Sequence, residues 1–183
     1  MPEPKKPVSM ELVLDPAAIK DMVARLGREI NDHYADLVRE DDRLLVMGIL
    51  NGAFIFMADL VRVLTIPLEV DFIRLSSYED NTASSERVVM LKAPERILRG
   101  RHILIVEDIA DCGLTLNWFK GYLEKEFPES VRIAVAVDKK ERRRVPLKPD
   151  FTGFEIEEGY LVGYGLDYAQ GYRNLEGIHR LVF

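Results

Sequence analysis

Apolar positions recur along this chain with two different periods. Between residues 15 and 38, Ile19, Met22, Val23, Leu26 and Ile30 fall three or four apart, which lines them up on one face of a helix. Asp15 stands where an N-cap belongs, and Pro16 occupies the first turn. Residues 43–50 instead carry an unbroken apolar run, Leu44-Leu45-Val46-Met47-Gly48-Ile49-Leu50, the pattern of a strand covered on both faces. Asn51-Gly52 breaks the run, and helical spacing returns over 53–63. Strand, short turn and helix make the first unit of a parallel sheet. A second strand is expected over 68–75, with Asp71 and Arg74 among its apolar positions, and a short one over 87–92. Gly100-Arg101 turns the chain into a central strand at His102, a helix follows over 114–127, and further strands are expected over 131–137 and 160–166. The pattern as a whole is that of an α/β domain with a central parallel sheet.

The central strand is the most informative stretch. Its apolar run, Ile103-Leu104-Ile105-Val106, ends in the adjacent carboxylates Glu107 and Asp108; Asp111, Cys112 and Gly113 follow, and Thr115 stands at the start of the helix. In a parallel sheet the carboxyl ends of the strands face the ligand crevice, and the free N–H groups at a helix start attract anions. Two acids and a phosphate-sized cradle then lie side by side, the combination that a metal-bound, phosphorylated sugar of a nucleotide precursor requires. A binding or signalling module that gathers carboxylates around a metal fits the acids equally well. Asp111, Gly113 and Thr115 favour the enzyme, because a bare metal site needs neither the turn nor the hydroxyl. Two other polar stretches stand out. Residues 76–86 lack apolar periodicity and read as a solvated hairpin connection or a lid, whereas Asp138-Lys139-Lys140 and Glu141-Arg142-Arg143-Arg144 place charge at the carboxyl end of the 131–137 strand. His33, near the end of the first helix, is expected to be a surface or partly buried residue rather than a ligand.

Composition narrows the class. The 183 residues suit one domain over 1–183, with a loose arm over 1–10 and enough length to bury a core without disulfides; the one cysteine, Cys112, excludes an internal disulfide. Hydrophobic residues at 48% and charged residues at 31% exclude a disordered chain. Lys and Arg number 25 against 31 Asp and Glu, a net charge of −6 that argues against nucleic acid as a partner. No apolar run reaches membrane-spanning length, and the first nine residues lack the apolar core of a signal peptide, so a cytoplasmic protein with no membrane partner is expected.

The run from Glu107 to Thr115 resembles the phosphoribosyl-diphosphate signature of the type I phosphoribosyltransferases. Ser77-Tyr78 is similar to that family's lid motif, and Asp138-Lys139 with Glu141-Arg142-Arg143 to its base-recognition strand end. Lys148-Pro149-Asp150-Phe151, Gly153-Phe154-Glu155-Ile156, Val162-Gly163-Tyr164-Gly165-Leu166-Asp167-Tyr168 and Tyr172-Arg173-Asn174-Leu175 resemble the C-terminal part of the hypoxanthine-guanine phosphoribosyltransferases. The resemblance implies a mostly parallel twisted sheet flanked by helices, a small hood built from the chain termini and a flexible lid loop over 76–86.

It also implies a reaction: transfer of a 5-phosphoribosyl group from phosphoribosyl diphosphate to N9 of hypoxanthine or guanine. Glu107 and Asp108 would hold the ribose hydroxyls and their magnesium ion. Asp111 would be the general base for the purine N7 proton. Asp111, Cys112, Gly113, Leu114 and Thr115 would cradle the 5-phosphate, while Asn51, Gly52 and Arg173 would meet the diphosphate. Lys139 would recognise the 6-oxo group, Tyr160 would stack on the purine, Leu161 would offer backbone to its edge, and Asp167 would act beside a second magnesium ion. Ser77 and Tyr78 would close over the site, and a homodimer or homotetramer is expected. The chain departs from the family pattern at Asn51, commonly lysine; at Glu79-Asp80, which add negative charge to the lid; and at Cys112, usually Thr or Ser. A xanthine-preferring transferase and a regulatory binding protein on the same fold are the alternatives.

Overall fold

The computed structural model describes residues 5–79 and 86–183, with backbone alone at 77–79, 86 and 87. In chain order the elements are β1 (Ser9–Leu14), α1 (Pro16–Tyr34), β2 (Leu44–Leu50), α2 (Phe54–Val63), β3 (Leu68–Glu79), β4 (Glu86–Lys92), β5 (His102–Ala110), α3 (Leu114–Glu124), β6 (Ser130–Lys139), β7 (Phe151–Ile156), β8 (Tyr160–Val162) and β9 (Ile178–Val182). Six strands form the main sheet in the order β4-β3-β2-β5-β6-β7; β1, β9 and β8 form a separate three-stranded sheet. All neighbours in the main sheet are parallel except β3 and β4. Among the described residues, no helix is long and apolar enough to cross a membrane.

The unbroken apolar runs of β2, β5 and β6 follow from burial on both faces. Leu44, Val46, Leu104, Val106, Ala134 and Ala136 share a core with Leu26, Ile30, Phe56 and Leu60 of α1 and α2. Their odd-numbered neighbours, Leu45, Met47, Ile103, Ile105, Ile133 and Val135, pack with Leu116, Phe119 and Leu123 of α3. A side chain of this size, fully buried, contributes about 1.5–3 kcal/mol, so the two layers clamp the sheet between the helices. The α1 start is set as expected: the Asp15 carboxylate accepts the N–H of Ala18 at 2.8 Å. The hood is fused to the α1/α2 side through Leu161, Tyr164, Leu166 and Ile178.

Several expected boundaries move. The loose arm ends earlier than residue 10: Val8 donates to Val182 at 2.7 Å and β1 begins at Ser9, paired antiparallel with β9, while residues 1–4 lie outside the described residues. The segment from Ser76 to Glu79 is strand rather than loop, since β3 continues beyond its apolar stretch and pairs with β4; residues 80–85 of the expected lid lie outside the described residues. The first helix stops at Tyr34 and the third at Glu124, both short of the expected ends. The final expected strand stops at Val162, where tight turns through Gly163, Tyr164 and Gly165, all at positive φ, take over. His33 lies at the surface, as expected, edge-on to Tyr34 and Phe151.

Candidate active site

Three strand ends converge. In β5, Glu107 and Asp108 do not follow the strand but lie within it, because Ile109 and Ala110 keep the ladder with β6 as far as the Ala110–Asp138 pair. The turn after it is short. Asp111 and Cys112 lead to Gly113, whose φ of 83° favours glycine, and a Cβ there would stand 3.1 Å from Val145 and 3.3 Å from Arg143. α3 starts at the next residue with no side-chain cap, leaving its first N–H groups toward the turn. After β2 the Leu50–Asn51 peptide is cis, and Gly52 lies so close to Asp108 that a Cβ would collide with its carboxylate.

A hollow of 430 Å³ opens between these turns. It is lined by Asn51 and Gly52 after β2, by Glu107 and Asp108 of β5, by Asp111, Cys112, Gly113 and Thr115 of the following turn and helix start, and by Asp167 and Arg173 from the segment after β8. A second hollow of 220 Å³ adjoins it, lined by Lys139, Arg142, Tyr160, Leu161 and Leu166. Asp108, Ile109, Asp111 and Asp167 border both. Of the residues expected at the site, Leu114 is the first residue of α3 and lines neither hollow. Ser77 and Tyr78 sit in β3 opposite Val88 and Arg87, and their side chains are outside the described residues. Sequence patterning assigns no individual role to Arg142 or Leu166; for the first, the signal is the Glu141–Arg144 charge run at a strand end.

The charges are uneven. Burial drives the Glu107 carboxyl well above its ordinary range, and the neighbouring Asp108 charge adds to the effect. Burial also raises Asp108, although Glu107, the Ile109 N–H at 2.8 Å and the Arg173 charge pull the other way. Oδ2 of Asp111 lies 3.2 Å from Nζ of the buried Lys139, while its Oδ1 is buried with no hydrogen-bond partner among the described residues. An unsatisfied buried acceptor of this kind costs about 1–3 kcal/mol unless a ligand supplies the missing donor. Lys139 Nζ also donates to the Gly159 carbonyl at 3.2 Å. Asp167 pairs with Arg173 at 2.7 Å and accepts the Gln170 N–H at 2.9 Å. Tyr160, 37% exposed, presents its ring to the smaller hollow and is held edge-on by Tyr168 and Phe183, with centroids 5.1 and 6.0 Å away.

A larger groove of 650 Å³ between α1 and α2 contrasts with this. Its Asp59 is already engaged by Arg62 and by the Tyr164 hydroxyl at 2.8 Å, and its floor is apolar. Among the described residues there is no cluster of three or more His, Cys, Asp or Glu side chains that could enclose a metal by themselves.

The family model described as "Phosphoribosyl transferase domain" matches residues 10–169. The hypoxanthine phosphoribosyltransferase of Salmonella typhimurium is 40% identical over 174 residues, which are 95% of this chain and 96% of that one. The hypoxanthine-guanine phosphoribosyltransferase of Bacillus subtilis is 39% identical, over 90% and 89% of the two chains. A solved structure of a mutant hypoxanthine phosphoribosyltransferase from Trypanosoma cruzi, in a ternary complex with substrates, superposes with a TM-score of 0.89 at 35% identity and covers 93% of this chain and 94% of that one. Sequence along nearly the whole length and the course of the backbone thus lead to the same place: this chain belongs to the phosphoribosyl transferase domain family.

Proposed function

We propose that this protein salvages purines, transferring the 5-phosphoribosyl group of phosphoribosyl diphosphate to N9 of hypoxanthine or guanine with release of diphosphate. The observation that carries the reading is the pair of adjoining hollows, one lined by acids and a helix start and the other by a buried lysine and an aromatic ring, with Asp108 and Asp111 on their common border. A donor sugar in the first would present its C1 to a base in the second. The main sheet and the hood act as one unit in this, since β8 of the hood supplies Tyr160 and Leu161.

Magnesium fits the donor set, because it prefers oxygen, keeps several waters and is commonly held by one or two carboxylates plus substrate phosphates. Held by Glu107, Asp108 and Asp167, it would neutralise charge on the diphosphate. Glu107 and Asp108 accept hydrogen bonds from the ribose hydroxyls and set the sugar's height in the hollow. The N–H groups of the turn from Cys112 to Thr115 and the Thr115 hydroxyl receive the 5-phosphate. Asp111, which borders both hollows, would take the N7 proton while the bond from C1 to diphosphate breaks and the N9–C1 bond forms. Lys139, a donor with no acceptor capacity, suits a 6-oxo group and leaves adenine's 6-amino group unmatched. Asp167 and Arg173, paired with each other here, would meet the metal and the diphosphate respectively.

The test is a phosphoribosyl-transfer assay with hypoxanthine, guanine, xanthine and adenine, with and without magnesium. Turnover of the first two, dependent on magnesium, is expected. Preference for xanthine would move the assignment to a different 6-oxopurine; turnover of none of the four would leave a binding protein.

A further inference from the structure

Arg143 lies in the charged segment after β6 and lines neither hollow, yet its guanidinium is the most heavily engaged near the site. Nε donates to the carbonyl of Asp111 at 2.8 Å. Nη2 donates to the carbonyl of Ala110 at 3.0 Å and to that of Lys139 at 3.2 Å, and forms an ion pair with Asp138. Nη1 turns the other way, to the carbonyl of Leu147. The fork therefore clasps the last residue of β5, the first residue of the turn and the last residue of β6. Ala110 and Asp138 are ladder partners, so the guanidinium closes the sheet at the point where the two strands separate. The main chain completes the clasp: Arg143 N–H donates to Lys140 at 3.0 Å and Arg144 N–H to the Cys112 carbonyl at 3.0 Å.

We infer that Arg143 is a positioning residue that fixes the distance between the two subsites, the turn that carries Asp111 and the strand end that carries Lys139. This rests on the proposed function for its consequence in catalysis, but not for the clasp itself. Asp111 and Lys139 have to meet opposite parts of one reaction complex, and a shift of one carrier relative to the other degrades both contacts at once. Only a planar fork with five N–H donors reaches four carbonyls and a carboxylate together; a lysine in its place keeps the charge beside Asp138 but offers a single nitrogen. A role in folding alone predicts something different. It lowers the fraction of active molecules, hence the apparent kcat, and leaves both KM values unchanged.

The experiment compares the wild-type protein with Arg143→Lys and Arg143→Gln by two measurements. The first is amide hydrogen exchange of the ligand-free proteins, which needs no activity. Faster exchange is expected in the peptides covering 107–116 and 136–143, with β2 and β7 unchanged. Equal exchange in those two peptides, or acceleration spread over the whole sheet, overturns the inference. The second is steady-state transfer to hypoxanthine in Arg143→Lys, where KM for the purine and KM for phosphoribosyl diphosphate should rise together and kcat/KM should fall about tenfold or more. A fall in kcat with both KM values unchanged assigns Arg143 to stability and overturns it as well. A wild-type protein without transferase activity would count against the proposed function, and the exchange measurement would still decide the clasp.

Discussion

Two buried acidic sites on the same sheet have opposite fates. Asp71 in β3 is 7% exposed and fully provided for: it accepts the N–H groups of Phe72 at 2.7 Å and Glu95 at 2.8 Å and the Lys92 ammonium at 3.2 Å. Burial works to raise its pKa, but those donors outweigh it and hold the carboxyl below its ordinary range. Glu107 and Asp108 in β5 stand side by side, and burial leaves both carboxyls raised. Asp111 beside them has one oxygen with no partner among the described residues. The difference separates structural from functional charge. A carboxylate that meets several donors of the fold holds the fold together, whereas adjacent carboxylates that receive one backbone N–H each destabilise it by crowding and are stabilised when a ligand arrives.

Substitutions can break this contrast at either end. The largest effect is expected at the unsatisfied end, where Asp111→Asn should lower kcat by about 10²–10⁴-fold with little change in melting temperature, measured by steady-state transfer and by calorimetry. Next, Lys139→Gln should compress the preference for hypoxanthine over adenine by about 10²-fold, read as a ratio of kcat/KM values, because the amide can present an acceptor to the 6-amino group. At the satisfied end, Asp71→Asn should cost about 1–3 kcal/mol in urea denaturation and leave kcat unchanged, since it strands the backbone donors and Lys92 without touching either hollow. The smallest and most gradual effect is with pH. Because the Asp71 carboxyl titrates lower in the folded than in the unfolded protein, its contribution is complete above the ordinary carboxylate range and fades as pH falls through and below it. The stability gap between wild type and Asp71→Asn should close in acid; a gap that widened would reverse the sign of the shift.

Much of the architecture is legible in the residues themselves. The runs of β2, β5 and β6 are apolar throughout because helices cover both faces, and such runs need no knowledge of distant partners to be recognised. The acids near the end of β5 and the glycine and hydroxyl after them are readable for the same reason, being contiguous. The hood strands are not. β1 is exposed over most of its length, so Ser9 to Leu14 shows no buried stripe, and β9 completes its sheet from the far end of the chain. The turn chemistry at 163–165 and the pairing of Asp167 with Arg173 are equally hidden, since both depend on the chain folding back on itself. Asp71 is the clearest case: nothing local marks it as satisfied, because the Glu95 N–H that helps to satisfy it is supplied 24 residues later.

The contrast between the two acidic sites is tested most directly by thermal unfolding of wild type and Asp108→Asn, each with and without phosphoribosyl diphosphate and magnesium. Removing one of two crowded, buried charges should raise the melting temperature of the ligand-free protein and abolish most of the further rise that the ligands produce in the wild type. A lower melting temperature for ligand-free Asp108→Asn, with the ligand-induced rise intact, would contradict the account.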